Sequence, residues 1–164
     1  MHMKKPVLPM TGGCQCGAVR YEIGGFPLLL YTCNCTECQR QSGSAFALNM
    51  PVAVKDFRIL KGEPRGWQHL SPKGTPVISQ FCTECATRLY GERAGRAEII
   101  NVRAGTLDDT SWMIPAAHFF MRSAPWSETV SRFPAYRKWL AINGHFMAAV
   151  SQQITVAGRF TSAL

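Results

Sequence analysis

The stretch YTCNCTECQRQSG, residues 31–43, carries three of the seven cysteines of this 164-residue chain. Cys33, Cys35 and Cys38 lie so close in sequence that one loop could direct all three thiols at a single metal ion. Three thiolates leave a tetrahedral ion one ligand short. The fourth ligand must then come from elsewhere in the chain, or the position stays open for chemistry.

The other four cysteines form two pairs that lie far apart in the chain. Cys82 and Cys85 have the spacing of a zinc knuckle, a turn that points two sulfurs at one ion. Cys14 and Cys16 are two positions apart, so an extended segment could present both sulfurs on one side. Four thiolates would close a tetrahedral site, and the binding free energy of the ion would stabilise the fold. We therefore expect these four cysteines to hold a structural zinc ion.

A second partition of the cysteines is also compatible with their spacing. Cys14 and Cys16 could join two thiols of the 31–43 stretch, which would leave Cys82 and Cys85 as a thiol–disulfide redox pair. Such a pair typically opens a helix in a βαβ setting, whereas the residues around Cys82 have a β pattern. The first partition is therefore favoured.

The fourth position of the three-cysteine group has several candidate ligands. They are His2, Glu37, His69, His118 and His145. No partner motif distinguishes any of them, and a lone histidine is more often an ordinary surface or core residue. We expect the position to be open or filled by water, the arrangement typical of catalytic zinc. On this hypothesis Cys33, Cys35 and Cys38 hold the catalytic ion.

Composition favours a compact domain inside the cell. Hydrophobic residues make up 46% of the chain and charged residues 17%, as in a globular protein. The N-terminus lacks the apolar run of a signal peptide, and no apolar stretch approaches the length of a membrane span. We expect a cytoplasmic protein whose cysteines are reduced and available to a metal.

The charge of the chain suggests a small acidic ligand. The formal charge is +8, although seven thiolates with two zinc ions would lower it by three. The basic residues are dispersed and do not form a run interleaved with aromatic residues. We therefore expect a small thiol substrate as partner, and neither a membrane nor a nucleic acid.

Short alternating segments separated by turn residues predict a mainly β, largely antiparallel domain. The predicted strands are 18–23, 28–32, 46–54, 57–61, 77–81, 98–102 and 117–121. A short C-terminal helix is predicted at 134–147, where Pro134 suits a first helical turn. We divide the chain into a tail at 1–10, a zinc domain at 11–134 and a partly helical extension at 135–164.

With the cysteines grouped in this way, the chain resembles the glutathione-dependent formaldehyde-activating enzyme family. The similarity rests on GGCQCGAVRY (residues 12–21), CNCTEC (33–38), GSAF (43–46) and FCTEC (81–85). It extends more weakly through NVRAGTLD (101–108) and His118 to about residue 134. The order and spacing of all seven cysteines match the family.

The resemblance implies a fold, two metal sites and a reaction. The fold is a zinc-binding β-tent, in which one zinc ion is structural and the ion held by Cys33, Cys35 and Cys38 is catalytic. The reaction is the condensation of glutathione with formaldehyde to S-hydroxymethylglutathione, a carbon–sulfur lyase reaction in reverse. Glutathione would then be the substrate whose thiol enters the open position and loses its proton there.

Three positions depart from the family pattern. Asn34 stands where the family often has His, Gln39 where it often has Arg, and Ala86 where a Gly usually follows the last cysteine. Asn34 and Gln39 adjoin the proposed catalytic ion, so they bear on the substrate more than on the metal. Ala86 would carry a backbone cost if the knuckle requires a left-handed residue.

Polar residues that follow Cys38 are candidates for contacts with the substrate. They are Gln39, Arg40, Ser42 and Ser44. Arg40 is the basic residue nearest in sequence and could stabilise the negative charge of a zinc-bound thiolate.

Two other functions fit the same cysteines. A zinc-stabilised binding module for a protein or nucleic acid would need the structural ion alone. A zinc store or redox sensor would release zinc on mild oxidation, whereas an enzyme would bind one particular thiol saturably. A three-thiol loop with an open position serves no purpose in a pure binding module, so the enzyme is favoured.

Overall fold

The structure, a computed structural model, describes residues 4–71 and 73–125. The strands are β1 (Met10–Gly13), β2 (Arg20–Ile23), β3 (Tyr31–Cys33), β4 (Ala47–Ala53), β5 (Phe57–Lys61), β6 (Arg65–Leu70), β7 (Pro76–Phe81), β8 (Arg88–Arg93), β9 (Ile99–Arg103) and β10 (Ala117–Phe119). Helix α1 is Thr36–Ser42, and short 3₁₀ helices lie at Val54–Asp56, Ala104–Thr106 and Met121–Ser123. The prediction of a mainly β domain is confirmed.

Two sheets make up the fold. β1, β2 and β5 form a three-stranded antiparallel sheet. The larger sheet has the order β10-β3-β4-β9-β8-β7-β6. Its neighbouring strands are antiparallel except β10 and β3, which run parallel. Because β4 pairs with β9, residues far apart in sequence, such as Asn49 and Arg103, become neighbours.

The hydrophobic core joins residues of both sheets. Phe57 packs against Tyr21 of its own sheet and Tyr90 of the other, with ring centroids 5.2 and 4.9 Å apart. The largest fully buried side chains are Tyr21, Ile23, Met50, Leu89, Val52, Val102 and Cys82. Burial of each large apolar side chain stabilises the fold by about 1.5–3 kcal/mol. Cys82 belongs to this set, so one candidate metal ligand is part of the core itself.

Most of the predicted strands are present. β5 coincides with its prediction, and the other predicted strands overlap β2, β3, β4, β7, β9 and β10. The sequence analysis did not predict β1, β6 or β8. Gly12, Gly13, Gly66 and Gly91 lie within these three strands, and each removes a side chain from the alternating pattern on which a strand prediction depends.

The 31–43 stretch contains a helix where the sequence analysis assumed a loop. Cys35 is the N-cap of α1, and its Sγ accepts a hydrogen bond from the backbone N–H of Cys38 at 3.4 Å. Gly43 ends the helix in a left-handed conformation, with φ at 59°. A helix of seven residues is too short to show an apolar period, which is why the pattern did not reveal it.

The predicted helix at 134–147 lies outside the described residues. Within residues 4–71 and 73–125, no helix is long and apolar enough to cross a membrane.

Candidate metal centres

The turn after β1 and the turn after β7 bring four cysteines together. The sulfur of Cys16 lies 3.5 Å from that of Cys14 and 3.8 Å from that of Cys82. All four sulfurs, including that of Cys85, lie within 4.8 Å of one another. We call Cys14, Cys16, Cys82 and Cys85 the four-cysteine cluster. The structure therefore brings together the four cysteines that the favoured partition assigned to one metal site.

Backbone hydrogen bonds shape both turns of this cluster. The N–H of Cys14 donates to the carbonyl of Val19 at 3.0 Å, and the N–H of Cys82 donates to the carbonyl of Thr87 at 3.0 Å. The N–H of Ala86 donates back to the carbonyl of Cys82 at 2.9 Å, and Ala86 has a left-handed φ of 57°. The knuckle therefore requires the left-handed conformation that an alanine adopts at a cost.

The end of β3 and the first turn of α1 bring the other three cysteines together. The sulfurs of Cys33 and Cys35 are 3.5 Å apart, and all three lie within 4.8 Å of one another. Cys33 is buried, whereas Cys35 and Cys38 are half-buried. We call Cys33, Cys35 and Cys38 the three-cysteine cluster.

Both clusters fit zinc in ligand type and spacing. Tetrahedral zinc, with Zn–S bonds of about 2.3 Å, requires sulfurs about 3.8 Å apart. The measured sulfur–sulfur distances, 3.5 and 3.8 Å in one cluster and 3.5 Å in the other, are close to that value. All seven cysteines are free thiols. Each cluster could therefore hold a metal ion. The four-cysteine cluster would supply all four ligands of a tetrahedral ion, whereas the three-cysteine cluster would leave one coordination position open.

Hydrogen bonds prepare one sulfur in each cluster to lose its proton. Cys35 accepts hydrogen bonds from the thiols of Cys33 and Cys38, which lower the pKa of Cys35 to about 2. In the four-cysteine cluster, the hydroxyl of Thr87 lies 3.1 Å from the sulfur of Cys85 and is the main reason that the pKa of Cys85 falls to about 5. The pKa of Cys33, by contrast, is raised by its hydrogen bonds to Cys35 and Cys38, so a metal would have to displace that proton before Cys33 could bind it as a thiolate.

No histidine or carboxylate of the described residues joins the sulfurs of the three-cysteine cluster. Among the candidate fourth ligands, His118 contacts the hydroxyl of Thr32 through Nδ1 at 2.6 Å. His2 and His145 lie outside the described residues. The part of the chain that the structure describes therefore supplies three ligands to this cluster.

The residues predicted to contact the substrate differ in where their side chains lie. Gln39 turns inward, and its amide nitrogen donates to the carbonyls of Asn34 and Ser123 at 2.6 and 2.7 Å. Arg40 is exposed and lies 3.6 Å from the carboxylate of Glu37. Gln39 thus supports the loop, and Arg40 is engaged with its own helix.

The two predicted serines lie on the surface. The hydroxyl of Ser42 donates to the carbonyl of Phe46 at 3.0 Å, and Ser44 is exposed. The part that Gln39, Arg40, Ser42 and Ser44 play in binding a substrate stays a prediction.

Asn34 fastens the three-cysteine cluster to the neighbouring strand. The residue is buried, and its side-chain amide donates to the carbonyl of Phe119 at 2.9 Å. Its backbone N–H donates to the same carbonyl at 3.0 Å. Because Asn34 lies between Cys33 and Cys35, these two bonds fix the position of both sulfurs relative to β10.

Two arginines that the sequence analysis did not identify act electrostatically on the three-cysteine cluster. Arg103 donates to the side-chain oxygens of Asn49 at 2.5 Å and Gln41 at 3.5 Å. The charges of Arg88 and Arg103 act on each other, and each acts on Cys38. Both are remote from Cys38 in sequence and approach it through the arrangement of β4, β8 and β9, so the sequence carries no local signal for them.

The fold and the two sulfur clusters define a class of protein, a mainly β domain with two cysteine-based candidate metal sites. The family model described as glutathione-dependent formaldehyde-activating enzyme matches residues 9–123. The chain therefore belongs to the glutathione-dependent formaldehyde-activating enzyme family.

Two individual proteins are similar to the chain. A Halomonas elongata protein, whose name also refers to glutathione-dependent formaldehyde activation, is 25% identical over 129 residues, 75% of this chain and 82% of that protein. A crystal structure of a Rhodobacter sphaeroides protein matches with a TM-score of 0.50 and 21% identity, covering 66% of this chain and 99% of that one. The second likeness supports the fold.

Proposed function

We propose that this protein binds two zinc ions and uses one of them to join the thiol of glutathione, or of a related molecule, to formaldehyde. The four-cysteine cluster would hold the structural ion and the three-cysteine cluster the catalytic one. The observation that carries the proposal is the three-cysteine cluster, whose sulfurs lie at zinc spacing without a fourth ligand among the described residues. Membership of the family supports glutathione and formaldehyde as substrates.

The proposed reaction is an addition without a change of oxidation state. The sulfur of glutathione attacks the carbonyl carbon of formaldehyde, a carbon–sulfur bond forms, and the thiol proton ends on the new hydroxyl group. The reverse reaction breaks the carbon–sulfur bond, which places the enzyme among carbon–sulfur lyases. Thiols add to formaldehyde unaided, so the enzyme would contribute mainly by holding the reactants in the productive orientation.

The side chains around the cluster would supply position and charge. Zinc, when bound, favours the deprotonated form of a substrate thiol. Asn34 fixes the loop that carries the ligands, as its two hydrogen bonds to β10 indicate. Arg88 and Arg103 carry positive charge that acts on Cys38 and would stabilise the negative charge of four thiolates gathered at one ion.

The proposal extends to the organisation and location of the chain. We assign the zinc domain to residues 11–134 and regard residues 1–10 and 135–164 as a tail and an extension. A cytoplasmic location agrees with a chain that has seven free thiols, because thiols stay reduced there.

Zinc content and rate together test the proposed function. The wild-type protein, purified with zinc present, is expected to contain about two ions per chain, and Cys35→Ala about one. Wild type should accelerate the formation of S-hydroxymethylglutathione, measured by exchange NMR, and Cys35→Ala should leave the spontaneous rate. One ion in both proteins would contradict the catalytic site and favour a zinc-stapled binding module. Two ions without acceleration would contradict the reaction, and zinc release on mild oxidation would then favour a redox sensor.

A further inference from the structure

The guanidinium group of Arg88 lacks partners for two of its nitrogen atoms. Its Nη2 donates to the hydroxyl of Ser79. Its Nε and Nη1 are buried and reach no acceptor among the described residues. Burial, followed by the charge of Arg103, lowers the pKa of Arg88 to about 10, so the group stays positively charged at neutral pH. Buried donors on a charged group are costly when unpaired, which makes this position exceptional.

The charge of Arg88 is also without a carboxylate partner. The ion pairs among the described residues involve Lys4, Arg20, Arg40 and Arg58. Arg103, whose charge acts on Arg88, has the same sign, and Cys38, which also acts on it, is a candidate metal ligand and not a carboxylate. A water molecule could accept a hydrogen bond here but could not neutralise the charge. The missing partner is therefore expected to be an anion.

Arg88 is one of the residues that line a cavity of about 200 Å³. Its lining residues are Gln41, Trp67, Ser79, Phe81, Ala86 and Arg88. Trp67 has 52% of its surface exposed, and its ring stacks on that of His69 with centroids 4.6 Å apart. A cavity of this size, whose lining includes three polar and two aromatic residues, suits one end of a small peptide.

The cavity adjoins the three-cysteine cluster through α1. Gln41 lines the cavity and lies three residues after Cys38 on this helix, so the two side chains share a face with Cβ atoms about 5–6 Å apart. Gln41 also contacts Arg103 at 3.5 Å and His69 at 3.1 Å. A ligand in the cavity would therefore lie about one helical turn from Cys38, a member of the three-cysteine cluster.

We propose that Arg88 and this cavity form a binding site for a carboxylate of the thiol substrate. The identity of that substrate as glutathione rests on the proposed function. A carboxylate supplies the negative charge and an acceptor oxygen for a charge-assisted hydrogen bond from one of the unpaired guanidinium nitrogens of Arg88. Glutathione has two carboxylates, one on its glycine and one on its γ-glutamyl residue, and either has the required chemistry.

Calorimetric titrations of the zinc-loaded full chain test this site. The ligands are glutathione, its glycine amide, and 4-aminobutyryl-cysteinyl-glycine, which lacks the γ-glutamyl carboxylate. One of the two modified ligands is expected to bind wild type about 10–100-fold more weakly than glutathione, which identifies the carboxylate that Arg88 holds. The affinity of the Arg88→Gln variant for glutathione should be lower than that of wild type by the same factor. The variant should bind glutathione and the modified ligand equally well.

Two further variants separate the site from general effects of charge and folding. Arg88→Lys retains the charge but not the guanidinium donors, so an intermediate preference is expected. Arg93→Gln removes an exposed arginine from the other end of β8 and should behave as wild type. Zinc content and thermal unfolding establish that each variant is folded. A preference that persists unchanged in folded Arg88→Gln, or that is absent from wild type, overturns the assignment.

Ligands without a thiol separate this proposal from the proposed reaction. The ligands are S-methylglutathione, the glycine amide of S-methylglutathione, and the form of S-methylglutathione that lacks the γ-glutamyl carboxylate. A preference for the free carboxylate, with no acceleration of the formaldehyde reaction, would overturn the reaction and keep the site. Acceleration of that reaction without any carboxylate preference would overturn the site and keep the reaction. Failure of every ligand to bind would overturn both.

Discussion

The four-cysteine cluster and the three-cysteine cluster use the same ligand type but are joined to the fold in different ways. Cys14 and Cys82 belong to the hydrophobic core, and Cys85 packs against it. Of the other cluster, Cys33 is buried at the end of a strand, while Cys35 and Cys38 are half-buried on a short helix. The first cluster is thus continuous with the core, and the second lies at the end of the larger sheet.

This difference indicates how one protein can divide two tasks between similar ligands. Four sulfurs at the edge of the core, two of them buried in it, bring two distant turns together, so an ion there would contribute its binding free energy to folding. A set of three sulfurs on a strand end and a helix leaves room for another molecule. If the clusters divide these tasks, substitutions at or beside the four-cysteine cluster should affect mainly stability, and those at or beside the three-cysteine cluster mainly metal affinity and chemistry.

The largest effect is expected for Cys82→Ala. The substitution removes a ligand of the four-cysteine cluster and a fully buried core side chain. Structural zinc in small domains contributes an apparent 10–16 kcal/mol, about as much as the whole stability of a typical domain. We expect Cys82→Ala to lose its cooperative thermal transition, measured by circular dichroism. A variant that unfolds at the wild-type temperature would contradict a structural ion at this cluster.

A smaller loss of stability, but a complete loss of the proposed activity, is expected for Cys35→Ala. The change also removes the N-cap acceptor of α1, which is worth about 1 kcal/mol or roughly 5 °C in Tm. Cys35→Ser restores a capping oxygen and should recover most of the Tm without restoring the rate or the second zinc ion. If Cys35→Ala unfolds like Cys82→Ala, the two clusters do not divide stability and chemistry between them.

An intermediate effect on metal affinity is expected for Asn34→Ala. The side chain of Asn34 ties the three-cysteine loop to β10, and loss of such a supporting bond typically weakens a metal site by 10–100-fold. Gln15→Ala is the matched control, since Gln15 lies between two cysteines of the other cluster but has an exposed side chain. Chelator competition should show about tenfold weaker zinc binding in Asn34→Ala only. Equal loss in both variants would mean that the hydrogen bond to β10 is not what positions the sulfurs.

The smallest effects are expected at the left-handed residue that accompanies each cluster. Ala86 has φ at 57° after the knuckle, and Gly43 has φ at 59° after α1. Ala86→Gly should raise stability by about 1 kcal/mol, and Gly43→Ala should lower it by about 1 kcal/mol. Denaturant unfolding measures both. Changes of the same sign would show that neighbouring contacts, rather than backbone conformation, decide the outcome at these positions.

Several features of the fold and the candidate sites could be predicted from the sequence. The strand at 57–61 coincides with β5, and the turn residues Gly62, Glu63 and Pro64 mark its end in the sequence. The cost at Ala86 could be predicted because a knuckle after Cys85 needs one particular backbone conformation. The helix Thr36–Ser42 could not be predicted from the sequence, because it depends on caps at Cys35 and Gly43 rather than on an apolar period.

The sequence by itself determined that the cysteines fall into three local groups and that the domain is mainly β. Ligand spacing and side-chain alternation are local properties, and a few neighbouring residues are enough to express them. Only the tertiary structure decided that the charges of Arg88 and Arg103 act on Cys38 and that Gln39 faces the backbone instead of the solvent. The charges that surround a site depend on which strands become neighbours, and strand order is a property of the whole chain.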